Sequence, residues 1–333
     1  MKSWLQEVLE HIELGPAQSF GGVTLFPLFA PKLDKPGYLT LAQALAQGVL
    51  QVTEVSHGGS VPELAVVNRG KEPVLLLDGE ELRGAKQNRV LNTTILVGPG
   101  TTVVIPVSCT EHGRWSYVSA AFGDSDEVLA HSIRNIKAQS VAESLKARHG
   151  HRSDQGAVWD GIAELHQKLH TASPTGAMRD AFEARRSELQ ECLDVFQSVE
   201  GMQGLLVFRD GRPAGLDLLS SATAFAEMFP KLLRSYLIET LKHQKTTTET
   251  LPAAEGKAFL KQAAACQTAV FESPGLGQDV RLESDDIIGS ALVVDGELIH
   301  LALFPKVVKK CQPDYYLAGV ERRRRFRDDN RVE

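Results

Sequence analysis

Between Phe20 and Val118 the chain offers little to fold with except short β-branched runs. VTLFPLF, GVLQVTEV, ELAVVN, PVLLLD, RVLNTTILV and TTVVIPV are set apart by glycine, proline and an Asn-Arg-Gly turn. Only Leu39 to Gly48 (LTLAQALAQG) reads as helix within this stretch. Strands this close together leave no room for the helical crossovers that parallel pairing needs. They predict an antiparallel sandwich or barrel.

At about Gly123 the apolar period lengthens. Asp124 to His149 and Asp154 to His170 read as helices, and Thr175 is placed to cap a third that carries Met178, Phe182, Leu189, Leu193 and Phe196. Beyond them, Gly204–Leu219 and Gly289–Phe304 share the frame Gly-x5-Asp-Gly-x4-Leu-x-Leu. Asp-Gly favours two-residue hairpin turns, so two hairpins of similar size are expected, able to join one sheet. A helix from Ser221 to about His243 and one begun by Pro252 lie between them. The expected class is α+β. An antiparallel β-rich sandwich or barrel-like half spans 18–120, a helical segment 121–200, an α+β part with two β-hairpins 201–310, and a charged tail 311–333.

With 36 basic and 42 acidic residues among 333, and a net charge of -6, no overall field would recruit nucleic acid or an anionic membrane. The Arg-rich run after Glu321 is a terminal exception and reads as a solvated tail. Cys109, Cys192, Cys266 and Cys311 form no CxxC pair, which suits reduced thiols in the cytoplasm. Acidic residues interrupt the opening segment where a signal peptide needs an apolar core, and no apolar run approaches a membrane span. A soluble cytoplasmic protein is expected.

The stretch Asp78–Arg89 (DGEELRGAKQNR) crowds Glu80, Glu81, Arg83, Lys86, Gln87, Asn88 and Arg89 between apolar runs. If Gly98, Pro99 and Gly100 form a hairpin loop, opposed positions sum to a constant. Ile95 then faces Val103, Thr93 faces Ile105, Leu91 faces Val107, Arg89 faces Cys109, and Gln87 faces Glu111. All are on one side of the sheet, apolar for most of its length and polar at one end, as at the mouth of a ligand-holding barrel. Lys86, Asn88, Asn92, Ser108 and Thr110 fall on the other side, expected to be the wetter one. The plainer account makes Arg89 and Glu111 a cross-strand ion pair.

These residues carry a resemblance. PVLLLDGEELRGAKQNRVLNTTILV, IPVSCTEHGRW, VWDGI, GLDLL and SPGLGQDVRLES with GSALVVDGELIHLALF resemble a mostly bacterial and archaeal family over about residues 10–306. It is known as the ARG- and rhodanese-phosphatase-superfamily-associated protein domain, where ARG denotes ADP-ribosylglycohydrolase. The resemblance implies a cytosolic role near ADP-ribose or phosphate chemistry. Its motif picks out Gly79, Glu80, Gly84, Lys86, Gln87, Asn88, Arg89, Asn92, Cys109, Glu111, Gly113, Arg114 and Trp115.

The leading expectation is a binding domain for a nucleotide-like or ADP-ribose-like small molecule. Arg89 and Arg114 would grip phosphate or carboxylate, with Lys86 and Cys109 lining the same site. Gln87, Asn88 and Asn92 would bond ribose hydroxyls or an amide, and Trp115 would stack. The alternative is a hydrolase acting on an ADP-ribose-type or glycosidic bond, with Glu80 and Glu111 as its carboxylate pair. A third reading is a scaffold using the helices of 124–200. Residues 79–86 lack the Gly-Lys-Ser/Thr ending and the following helix of a phosphate loop, so a P-loop nucleoside triphosphatase is not expected, and no cofactor is assigned. His149/His151 and His166/His170 have ligand-like spacing but no cysteine companions, and no metal is assigned to them. Asp279, Arg281 and His300 are candidates for the border of the same cavity.

Overall fold

The computed structural model describes residues 4–33, 37–56, 62–241 and 250–306. Helix α1 (Trp4–Glu10) leads into strands β1 (Glu13–Leu14), β2 (Gln18–Phe20) and β3 (Val23–Phe29). A short strand β4 (Leu39–Thr40) precedes α2 (Leu41–Ala46), where Thr40 and Gln43 form a reciprocal capping box. Next come β5 (Leu50–Glu54), β6 (Glu63–Asn68), β7 (Val74–Leu76), β8 (Glu80–Gly84), β9 (Arg89–Leu91), β10 (Ile95–Val97), β11 (Thr102–Cys109) and β12 (Phe122–Val128). Helices α3 (His131–Lys146), α4 (Gln155–Leu169), α5 (Met178–Ala184) and α6 (Arg186–Leu193) follow. The chain continues through β13 (Gly204–Arg209), β14 (Arg212–Leu219), α7 (Ala222–Leu237), α8 (Ala253–Ala263), β15 (Gln267–Glu272), β16 (Gln278–Glu283), β17 (Ile287–Val294) and β18 (Glu297–Pro305).

The α+β class holds, and the β-rich half contains a closed barrel ordered β11-β6-β5-β12-β8-β9. Leu50, Val52, Leu64, Val66, Leu82, Leu91, Ile105, Val107 and Phe122 fill it as one apolar cluster. Alternation along each strand brings these residues to a common side. The second sheet runs β1-β3-β13-β14-β18-β17-β16-β15, with β2 on β3. Both Asp-Gly hairpins are present in it and adjacent, since β14 pairs with β18. Positive φ at Asp210, Gly211, Asp295 and Gly296 matches the turn type that the dipeptide favours. One face of this sheet packs on α1 and α8 through Phe26, Leu28, Leu5 and Phe259; the other meets α7 through Leu25, Leu205 and Phe225.

Sheet membership crosses the segment limits drawn from sequence. Val23–Leu28 pairs with β13 in the second sheet and β2 pairs with β3, while Asp124–Val128, expected to begin a helix, belongs to the barrel strand β12. The helix expected from Thr175 is two helices, broken at Arg185, whose guanidinium reaches the Leu169 carbonyl and Glu188. The hairpin expected over 87–111 is half realised. Leu91 faces Val107 and Arg89 faces Cys109 in the expected register. Ile95–Val97 instead leaves the barrel to pair with β7, while Thr102–Pro106 pairs with β6. The cause lies in Asn92, Thr93 and Thr94. Asn92 bonds the His151 carbonyl, Thr93 bonds Asp279 and Thr94 bonds His300, all outside the barrel. The Arg-rich run after Glu321 lies outside the described residues.

Candidate functional site

At one end of the barrel lie the end of β5, the turn from β8 to β9 and the connection from β11 to β12. Glu54 ends β5, Arg89 begins β9 and Cys109 ends β11, and each shares the parity of the apolar interior residues of its strand. The apolar filling thus gives way to a polar floor. Arg89 has no exposed surface, and the side chain of Glu54 is only 4% exposed. Nη2 of Arg89 lies 3.9 Å from Oε1 of Glu54, beyond hydrogen-bond reach. Nη1 donates to Gln87 Oε1 at 3.1 Å and to the Asn88 carbonyl at 3.5 Å. Among the described residues, Nε and Nη2 of Arg89 and both carboxylate oxygens of Glu54 have no hydrogen-bond partner. Burial pushes the Cys109 thiol up beside them.

Over this floor lie two half-exposed rings, Trp115 and Tyr117. The Arg89 guanidinium carbon is 5.7 Å from the Trp115 ring centre. The Lys86 ammonium lies 5.2 Å from the Trp115 ring and 5.1 Å from the Tyr117 ring, distances at which a cation is attracted to a ring face.

Arg114 and Glu111 hold the mouth together. Nε of Arg114 donates to both Glu111 oxygens at 3.0 and 2.9 Å, and Nη2 donates to Oε2 at 2.6 Å and to Asn88 Oδ1 at 3.2 Å. Nη1 donates to the carbonyls of Ala85 and Ser116. With these donors committed inside the protein, Arg114 clamps two loops and is not available as a phosphate fork. Nor do Arg89 and Glu111 form the cross-strand pair that the register allows. Glu111 turns to Arg114 and to the Asn88 N–H. Burial alone would push its carboxyl up, but the hydrogen bonds from Arg114, Thr175 and Asn88 hold it below the usual range.

The side of β9 and β11 expected to be wet is covered. Asn92, Ser108 and Thr110 are buried, because Ser108 meets Ser153, Gln155 bonds both backbone groups of Cys109, and the Met178 N–H donates to the Thr110 carbonyl. The amide of Asn92 is used by the His151 carbonyl and by Ser108, so it serves the packing of α3 and α4 and not the mouth. Lys86, Gln87 and Asn88 are buried in the turn between β8 and β9. Both ring nitrogens of His166 are taken, by Thr171 and the Ala177 carbonyl.

Glu80 and Glu111 have different surroundings. Glu80 accepts from the Leu77 N–H and lies 3.4 Å from Lys231 on α7. Burial raises its pKa to about 7 in spite of Lys231. Burial also raises Glu81, which accepts from the Thr110 hydroxyl at 2.5 Å, and Glu127, which pairs with Arg234, to about 7. Among the described residues, the hydrogen-bond partners of Glu80 (Leu77 and Lys231) are not those of Glu111 (Asn88, Arg114 and Thr175).

A second polar group lies where the barrel meets the large sheet. Arg134 grips Asp217 through Nη1 at 2.9 Å and Nη2 at 2.6 Å and reaches Asp78 at 3.3 Å; Lys137 also pairs with Asp78. Tyr236 and His300 complete the shell of Asp217. Asp217, His300 and Thr94 line up in the order of an acid–base–hydroxyl relay. Thr94 Oγ1, however, also accepts the Asp78 N–H, and Asp217 is already saturated, so the line is a lock between layers. Asp279, Arg281 and Thr93 form a neighbouring knot, with His151 Nε2 at 2.9 Å from Asp279. Asp279 and His300 thus belong to this junction and not to the barrel floor. A cleft of about 730 Å³ opens elsewhere, between α3 and the start of α4, lined by Ser140, His149 and Arg152; it shares no lining residue with the mouth.

Sequence reasoning missed Glu54 and Tyr117. The alternation Leu50, Val52, Glu54 carried the first signal, since the third member of an inward row is charged. For Tyr117 the signal was its place in the loop after Trp115.

Comparison with known proteins gives one family. The model of the ARG and Rhodanese-Phosphatase-superfamily-associated Protein domain matches residues 11–304. The chain belongs to that family. No curated protein and no solved structure matches it. Among the described residues, no helix is long and apolar enough to cross a membrane.

Proposed function

We propose that this chain is a cytosolic binding protein for a nucleotide-like or ADP-ribose-like small molecule, held at the barrel mouth. Arg89 and Glu54 form the floor, and Lys86, Trp115 and Tyr117 the rim. One observation carries the reading. Two charged side chains stand enclosed with unfilled hydrogen-bonding positions among the described residues, 3.9 Å apart. Buried polar atoms are nearly always satisfied in native proteins, because each one left without a partner costs about 1–3 kcal/mol. A ligand that supplies the missing partners explains why the positions are kept open. Rings at the rim suit a planar group, and the family's name supports a ligand from ADP-ribose or phosphate metabolism. The free thiols of Cys109, Cys192 and Cys266 agree with a reducing compartment.

Hydrolysis is the second reading, favoured by the raised pKa of Glu80. It is weaker, because Glu80 and Glu111 share no hydrogen-bond partner among the described residues and Glu111 is fastened to Arg114. Calorimetric titration of the full chain with ADP-ribose, NAD and AMP tests the first reading. At least one is expected to bind, and Glu54→Gln to weaken it by about tenfold or more. Absence of binding by all three refutes it. Turnover of any of them that disappears in Glu80→Gln or Glu111→Gln would favour the hydrolase instead.

A further inference from the structure

The unfilled positions on Arg89 and Glu54 specify which end of a ligand goes in first; this rests on the reading of the mouth given above. Nη1 of Arg89 is occupied by Gln87 and the Asn88 carbonyl. Among the described residues Nε and Nη2 remain without a partner, and they form one edge of the guanidinium, two donors pointing the same way. Glu54 offers two acceptors beside that edge. The floor therefore presents donors and acceptors side by side, and its two formal charges cancel.

A phosphate satisfies only half of this arrangement. It could take the Arg89 edge, but its charge would then be pressed against Glu54 in an enclosed place where the guanidinium is already offset. A neutral planar head satisfies all of it, with an acceptor toward Nε and Nη2 and an adjacent N–H toward Glu54. Nucleobase edges and primary carboxamides carry that pattern. The ammonium of Lys86 is at the rim between Trp115 and Tyr117, where a charged group entering last would meet it. The geometry points to a ligand that binds head-first: a nucleobase edge or carboxamide on Arg89 and Glu54, with its phosphate outward at Lys86. This reverses the assignment of Arg89 to phosphate that its residue type suggests.

Two sets of probes separate the orientations in calorimetric titrations of the full chain. Adenosine, guanosine and nicotinamide carry neutral heads without phosphate; ribose 5-phosphate and pyrophosphate carry the charged part alone. At least one neutral head is expected to bind more tightly than either phosphate probe. Glu54→Gln should weaken that head by about tenfold or more, since a bond to a charged acceptor is lost. The same variant should leave the phosphate probes unchanged or strengthen them, whereas Lys86→Ala should weaken them. If a phosphate probe binds more tightly than every neutral head, the orientation is overturned while the mouth remains a ligand site. An AMP or NAD complex indifferent to Glu54→Gln overturns it too. If no probe, nucleotide or ADP-ribose binds, the site reading falls with it. The ranking on the unsubstituted chain decides the matter even should a variant fold poorly, which circular dichroism will reveal.

Discussion

Replacing Asp217 by asparagine should be among the most damaging isosteric changes in this protein. Asp217 accepts from Arg134 at 2.6 and 2.9 Å and from Tyr236 at 2.8 Å, with His300 at 3.3 Å, and it is fully enclosed. In the cluster, two cations (Arg134 and Lys137) face two carboxylates (Asp78 and Asp217). The substitution preserves volume and leaves one cation in excess. Opposite charges at such distances attract by about 4 kcal/mol at an effective dielectric of ~20. Removing one member of a buried pair typically costs about 3–5 kcal/mol, a large part of a total near 5–15 kcal/mol. Urea unfolding followed by circular dichroism and tryptophan fluorescence reads the loss. With slopes of about 1–3 kcal/mol per molar, the midpoint should fall by about 1 M or more. Adding Arg134→Met removes the stranded cation and should recover part of the loss, a coupling that a double-mutant cycle measures. The acid limb carries a second signature. Burial pushes the Asp217 carboxyl up, but Arg134 and His300 more than reverse this and hold it well below its ordinary 3.8. Its contribution is therefore complete above pH ~4 and lost as pH falls further. A loss under about 1 kcal/mol, the scale of an exposed pair, or additive effects of the two substitutions, would refute the account of this junction as a lock.

The carboxyls of Glu80, Glu81 and Glu127, raised by burial to about 7 from 4.5, predict the opposite slope near neutrality. The folded chain keeps protons that the unfolded chain releases between those values. Stability should therefore fall as pH rises through that window, by up to about 1.4 kcal/mol per pH unit for each proton. Glu81→Gln should accordingly be more stable than the unsubstituted protein at pH 8 and close to it at pH 5; urea midpoints at both values check this. Gly79 has φ +86°, and a Cβ there would lie 2.9 Å from Arg134 Cδ. Gly79→Ala should cost about 1–3 kcal/mol from backbone strain alone, measured by the same unfolding assay. Arg114→Gln should release the clamp between residues 84–88 and 111–116 while leaving the barrel folded. Hydrogen exchange is then expected to accelerate in those two loops and not in β5 or β6, and uniform acceleration would contradict the clamp.

What the sequence made legible followed from local rules, and what it hid followed from distant partners. Asp-Gly with its positive φ sets a turn without outside help, so both hairpins could be read directly. The Arg89–Cys109 register was legible because alternation ties it to Leu91 and Val107, and the apolar row forbids a one-residue slip. The same rule failed two residues on. Nothing in Asn92-Thr93-Thr94 announces that His151, Asp279 and His300 wait outside the barrel to draw the strand away. The break at Arg185 was equally silent, since it depends on a carbonyl at Leu169. At the mouth, residue types were found but their roles were exchanged. Arg114, expected to face a ligand, is consumed by Glu111. Glu54, passed over as the end of a strand, faces the open edge of Arg89.

That exchange follows from how a polar floor can survive inside an apolar barrel. Unfilled charges tend to collapse onto each other, and a flexible arginine would ordinarily close a 3.9 Å gap to a carboxylate. Here the arginine is restrained. Arg89 is tethered at Nη1 by Gln87 and the Asn88 carbonyl. Asn88 is fixed in turn by Gly84, Glu111 and Arg114. The Glu111 loop rests on the Thr175 carbonyl through the His112 and Gly113 N–H groups, and on Trp159 of α4 through the His112 ring. The helical segment between the two sheets thus acts on the mouth through a chain of ordinary hydrogen bonds. A substitution remote from the floor, such as Trp159→Ala, should for that reason reduce ligand affinity by relaxing the tether more than by removing any contact to ligand. Titration of the same nucleotide probes checks this, because affinity unchanged in a folded Trp159→Ala protein would show that the floor holds its geometry unaided.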